Sequence, residues 1–371
     1  MGVVDDAHPS FSREGREERW KVMDNWIDRR LFLRTMAGLG GAAWLSAHGL
    51  GRSALAGPGA APQSLVDVDR PSAQIAFVKT RDRAAGLNTA LDLLEIEPMK
   101  GKHVFVKPNF NSAHATPGST HADTLSALVQ RLQTMGAERI TVGDRSGMGN
   151  TRQVMEALGV LRMADELGFE TVVFDEMAAD EWELMRLPES HWSNGFPVAR
   201  PVLEADAVVQ TCCLKTHQYG GHFTLSLKNS VGIVAKVVPG QRHDYMNELH
   251  NGGHQREKIA EINAVYEPVL VVLDGVEAFV DGGPHEGKRV NAEVILAGAD
   301  RVAVDAVGVA LLRYFGTTPA VSRGPIFAQE QIARAVELGL GVDSPDKVEF
   351  ITGDDESAAY AEEIRAILLS E

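Results

Sequence analysis

Short apolar runs rich in Val and Ile recur along most of this chain. They are IAFVKT (75–80), HVFVKPN (103–109), RITVGD (139–144), ETVVFD (170–175), DAVVQTCCL (206–214), VLVVLDGV (269–276), AEVILAG (292–298) and VEFITG (348–353). Near-continuous apolar runs of this length are what strands buried on both faces require. Between them lie segments with helical spacing, such as HADTLSALVQRLQTMGA, DRVAVDAVGVALLRYFG and ESAAYAEEIRAILLSE. Strand–helix alternation predicts an α/β fold: a largely parallel sheet with helices on both faces, in Rossmann-like layers, as one lobe or two. Residues 74–355 form its body, and 356–371 a C-terminal helix.

The first 56 residues follow a different pattern. RRLFLR (29–34) precedes an apolar, glycine-rich run and then ALAG. A charged leader, a short apolar stretch and a small-residue cleavage site describe a secretory signal. The pair Arg29–Arg30 resembles the bacterial twin-arginine export signal, with cleavage expected after Ala56. The twin-arginine translocase is then a partner, and the location periplasmic or otherwise exported. Residues 57–73 read as a linker. The rest has no apolar segment long enough for a membrane anchor.

Composition narrows the function. The 371 residues are 44% hydrophobic, enough for a sizeable core. A net charge of −15, with no Lys/Arg run, argues against nucleic acid as a partner. The two cysteines, Cys212 and Cys213, are adjacent. They cannot ligate an iron–sulfur cluster, and they read as small apolar packing at a strand end.

Parallel sheets place ligands at the carboxyl ends of their strands. Four predicted ends carry chemistry: Lys107 and Asn109; Asp144; Lys215 and His217; and Asp274. One such residue alone has an ordinary reading, as a solvated lysine or a helix cap. Four ends together point to a shared rim. Lys228 and Asn229 are expected to sit on a helix or turn that points back toward Lys215. Lysines converging with a histidine favour carboxylate or phosphate. One ammonium beside another also loses proton affinity and becomes a candidate base or nucleophile. The loop Gly143–Gly147 reads either as a plain turn or as an anion cradle. His217, His243, His250 and His254 are candidates for a divalent metal site, with acid–base roles for His217 and His243 as the alternative.

In the same order, VFVKPNF, ITVGDRSG, DAVVQTCCLKTH, TLSLKNSVG and AGADRVAVDAVG resemble the bacterial and archaeal family called domain of unknown function 362. The resemblance runs from about Ile75 to Gly353. It implies that Lys107, Asn109, Asp144, Lys215, His217, Lys228, Asn229, Asp274 and Asp305 are the family's polar motif positions. Asp305 also reads as a residue that bonds a neighbouring loop. Many members carry a ferredoxin-like module, which this sequence lacks. The resulting expectation is an exported enzyme acting on a small anionic ligand through a Lys/His/Asp pocket. Lys215, His217, Lys228, His243 and Asp144 would be catalytic, and Lys107, Asn109, Asn229 and Asp274 would bind substrate. The alternatives are a non-catalytic periplasmic metal- or metabolite-binding protein and a maturation factor for exported redox enzymes.

Overall fold

The computed structural model describes residues 70–370 apart from 95, 97 and 98. Arg29, Arg30, the cleavage site at Ala56 and nearly all of the linker lie outside the described residues. The remainder forms one unit from Pro71 onward.

Eleven strands are present among the described residues: β1 (Ala73–Lys79), β2 (His103–Lys107), β3 (Arg139–Asp144), β4 (Glu170–Val173), β5 (Trp182–Met185), β6 (Phe196–Ala199), β7 (Ala207–His217), β8 (His222–Thr224), β9 (Leu270–Gly282), β10 (Gly287–Gly298) and β11 (Val348–Ile351). Nine make one sheet, in the order β11-β1-β10-β9-β7-β2-β3-β4 with β8 on the end of β7. The run β9-β7-β2-β3-β4 is parallel, as is β1-β11, while β10 is antiparallel to both its neighbours. The fold is therefore α/β with a largely parallel sheet. β5 and β6 form a separate hairpin.

Alternating strand residues face opposite layers. Val104, Val106, Val142 and Val209 pack with Leu87, Leu91, Leu125, Leu128 and Met155 on one face. On the other, Phe105 stacks on Phe174, and Phe77 meets Tyr360 edge-on. Helix Arg301–Tyr314 lies on this second face, buried for almost its whole length. Each Val or Leu withdrawn from water here contributes about 1.5–3 kcal/mol. The C-terminal helix, Asp355–Leu368, packs on β1 and on helix Arg301–Tyr314. No helix among the described residues is long and apolar enough to cross a membrane.

Two features position the site. First, strand order reverses beside β2: the chain steps outward through β3 and β4, then returns to place β7 on β2's other side. Such a reversal opens a crevice at the strand ends. Second, β7 runs past β2. Lys107, the last residue of β2, pairs with Gln210, and β7 continues to His217. The apolar run alone suggested an end at Leu214. Pairing with β8 and β9 keeps Lys215, Thr216 and His217 in strand geometry, which carries His217 to the crevice wall and leaves Lys215 behind it.

Candidate functional site

The crevice is a cavity of about 690 Å³ whose lining includes Lys107, Asn109, Asp144, His217, Lys228 and Asn229. At its floor the ends of β2 and β3 meet. Lys107 Nζ lies 2.8 Å from Asp144 Oδ1. It also donates to the Pro108 carbonyl at 2.5 Å and to Asn229 Oδ1 at 3.3 Å. Asp144 accepts the amides of Phe110 and Arg145 as well, each at 2.7 Å. Burial pushes the lysine down and the carboxyl up, and their contact pulls each back. Gly232 closes over this pair. A methyl group there would come within 2.7 Å of Lys107 Nζ and closer still to Asp144.

Asn109 and Asn229 tie the lysines together. Asn109 accepts from Lys215 Nζ at 3.0 Å and donates to Asn229 Oδ1 at 3.3 Å. Lys215 also donates to the Gly118 carbonyl at 2.6 Å. It is fully buried and sits behind Asn109, off the cavity wall, and burial brings it down to about 8.

Lys228 differs from both. It stands on the short helix Ser226–Asn229, whose start is held by Asp305: Oδ1 accepts the Ser226 amide at 2.8 Å and its hydroxyl at 2.6 Å, and Oδ2 the Leu227 amide at 3.2 Å. Asp305 thus bonds a neighbouring loop, and burial pushes it up to about 7. Lys228 Nζ makes no hydrogen bond or ion pair among the described residues. Burial, then the charges of Arg145 and Lys215, bring it down to about 7. Beside it, His217 is held well below the usual histidine range by burial and by Lys228, so it is neutral, and its Nδ1 has no partner. Gly221 separates the two: a methyl group there would sit 2.6 Å from Lys228 Cε and 3.0 Å from His217 Nδ1.

The cavity wall holds other unpartnered groups: Asn111 Nδ2, Gln255 Nε2 and Thr224 Oγ1. Arg145 also lines the cavity, donating to the main-chain carbonyls of Val231, Val234 and Ser146 and to the Met246 sulfur. The free groups can all donate, and the two lining carboxylates are already engaged, Asp144 by Lys107 and two amides and Asp244 by the amides of Met246 and Asn247. Such a site is built to receive an acceptor-rich anion.

Other expected residues lie elsewhere. Asp274 is not at a strand end, because β9 continues past it through a bulge against β7. Its carboxylate takes Arg83 Nε at 2.9 Å and Thr124 Oγ1 at 2.7 Å, away from the cavity. His243 is half-exposed and bonded to Glu248 at 2.6 Å. The four candidate metal histidines do not converge. His250 lines the cavity with Nδ1 on the Met246 carbonyl, and His254 faces Glu257 and His191. The Gly143–Gly147 loop is a turn, not a cradle: the Arg145 amide is on Asp144 and the Ser146 amide on Thr151. Cys212 and Cys213 are buried thiols, and burial raises both, Cys213 to about 11. Asn111, Thr224 and Gln255 were not singled out from sequence. Asn111 had a signal, two residues beyond Asn109 in PNFN; the other two had none.

Residues 104–310 match the family described as Domain of unknown function (DUF362). The chain is also similar to Thylakoid-associated protein sll1697 of Synechocystis sp., at 26% identity over 212 residues, which is 56% of this chain. The match spans 62% of that relative's own length. Among solved structures, the lactate racemase apoprotein of Thermoanaerobacterium thermosaccharolyticum aligns with a TM-score of 0.41 and 14% identity, over 78% of this chain and 85% of that one.

Proposed function

This chain belongs to the domain of unknown function 362 family, and on that premise we propose that it is an acid–base enzyme for a small carboxylate or phosphate substrate. The observation that supports this most is Lys228, a largely buried lysine on the cavity lining with no hydrogen bond or ion pair among the described residues, beside donors that are also unpartnered. A bound anion would pair with its ammonium. With a proton affinity near neutrality, Lys228 can also give up and take back a proton on the substrate. His217, neutral and adjacent, is the second proton carrier. Lys107, Lys215, Asn109 and Asn229 are spent on each other and hold the floor rigid. Asp305 is a positioning residue, acting through the helix that presents Lys228.

The test is calorimetric titration of the protein with inorganic phosphate and with short mono- and dicarboxylates. At least one should bind, and Lys228→Met should weaken it by about 100-fold or more. An anion that binds equally well to Lys228→Met sinks the reading, and so does the failure of every anion to bind. The leader pattern supports a role outside the cytoplasm. Replacing Arg29 and Arg30 together by Lys should leave the precursor in the cytoplasm, as seen by cell fractionation.

A further inference from the structure

Outside the cavity, His191, His254 and Glu257 each bring one ligand atom within 4.8 Å of the other two. The imidazoles stack with centroids 4.4 Å apart, and His254 Nδ1 lies 3.1 Å from Glu257 Oε1. Glu257 Oε2 is buried without a partner. Behind His191 stands Glu261, wholly buried, accepting His191 Nδ1 at 2.6 Å. Glu261 is itself fixed by the Ser190 hydroxyl at 2.8 Å and by Arg334 at 3.2 Å. Nδ1 of His191 is therefore a donor, and its Nε2 keeps a free lone pair. A carboxylate-backed imidazole of this kind is how proteins orient a histidine toward a metal.

We propose that His191, His254 and Glu257 bind one divalent transition ion of the zinc class, with Glu261 orienting His191. Two imidazoles and one carboxylate suit zinc and its neighbours rather than magnesium or calcium, which take oxygen ligands. Tetrahedral coordination at about 2.1 Å spaces ligand atoms about 3.4 Å apart. The His254–Glu257 contact is already within that spacing. The wider pairs close by about 1.4 Å at most, through small rotations of the mostly exposed His254 ring and of the Glu257 side chain.

The site would brace the cavity rather than act in it. His254 sits just before helix Gln255–Ile262 with a left-handed backbone, φ 53°, which is strained for a residue with a side chain. The next two residues serve the cavity: Gln255 lines it, and Arg256 donates to the Gly220 carbonyl on its rim at 2.8 Å. Coordination through His254 and Glu257 would clamp this helix start to the loop that holds His191.

The test uses untagged full-length protein stripped with chelator and titrated with Zn²⁺, with Mg²⁺ as the control. One equivalent of zinc should bind and raise the melting temperature, and magnesium should do neither. His191→Ala and His254→Gly should each abolish that uptake. The glycine variant keeps the left-handed backbone without strain, so loss of zinc there is not a folding failure. Glu261→Gln should weaken binding by about 10–100-fold. His217→Ala with His250→Ala, in the cavity, should leave it intact. The proposal is overturned if the wild type takes up no zinc, if the His191 and His254 variants bind it undiminished, or if the cavity variant is the one that loses it.

Discussion

Lys228→Met should make the protein more stable, not less, and the gain should depend on pH in one direction. The lysine is buried, has no partner, and lies near Arg145 and Lys215, which bring it from 10.5 to about 7. Below pH 7 it is charged in both the folded and unfolded chain, and the folded state bears the whole cost of burying that charge. Between 7 and 10.5 the folded lysine has lost its proton while the unfolded one keeps it. The unfolded state then binds more protons, so wild-type stability rises with pH across this window. Near 10.5 the two forms no longer differ. At 1.36 kcal/mol per pH unit the interval sets a ceiling of about 5 kcal/mol, and relaxation with entry of water should reduce it to roughly 2–3 kcal/mol. Methionine has similar length and no charge. Urea unfolding of both proteins from pH 6 to 9.5 measures the difference, with Lys215 and the other titrating groups common to both. The variant should lead by roughly 2–3 kcal/mol at pH 6 and by much less at pH 9.5. A variant less stable than wild type at pH 6, or a difference that is flat with pH, would refute the assignment of Lys228 as an unpaired buried cation.

Three further outcomes follow from the same geometry. Anion affinity should fall as pH rises above about 7, by up to tenfold per unit, because the ligand selects the protonated Lys228; calorimetry across pH 6–9 checks this. Asp305→Ala leaves the Ser226 and Leu227 donors unpaired and should cost roughly 2–4 kcal/mol in urea unfolding, together with at least about a tenfold loss of anion affinity. Asp305→Asn, which keeps an acceptor oxygen, should stay within about 1 kcal/mol of wild type. Gly232→Ala pushes a methyl group into the Lys107–Asp144 pair and should destabilise the fold by about 1–3 kcal/mol, with weaker anion binding.

The sheet was legible in the sequence because strands buried on both faces leave unbroken apolar runs. Their ends were less so. β7 looks finished at Leu214, since Lys215 and His217 are polar, yet cross-strand pairing to β8 and β9 carries it on. Asp274 looked terminal for the same reason, while its charge is met by Arg83 and Thr124, more than 140 residues away in sequence. Of the strand-end residues, Lys107, Asn109, Asp144 and His217 line one cavity together with Lys228 and Asn229, whereas Lys215 and Asp274 do not. Which lysine is free was not readable, because it depends on carbonyls and amides that sequence does not place. The histidines clustered in sequence do not meet in space: His254 stacks on His191, 63 positions earlier, rather than on His250.

The position of β1 sets an order of assembly. It pairs with β10 and β11, so the first described strand has both its neighbours more than 200 residues downstream. During synthesis β2, β3, β4 and β7 can associate as they emerge, whereas β1 must wait for β10, and its outer edge is covered only once residues 348–351 have been made. Closing so long a loop is slow and exposes an unpaired apolar segment meanwhile. A chain cut before Val348 would leave β1 with a bare edge, and should show it as aggregation during refolding. If the protein crosses the membrane already folded, this last seam is the step that export must await.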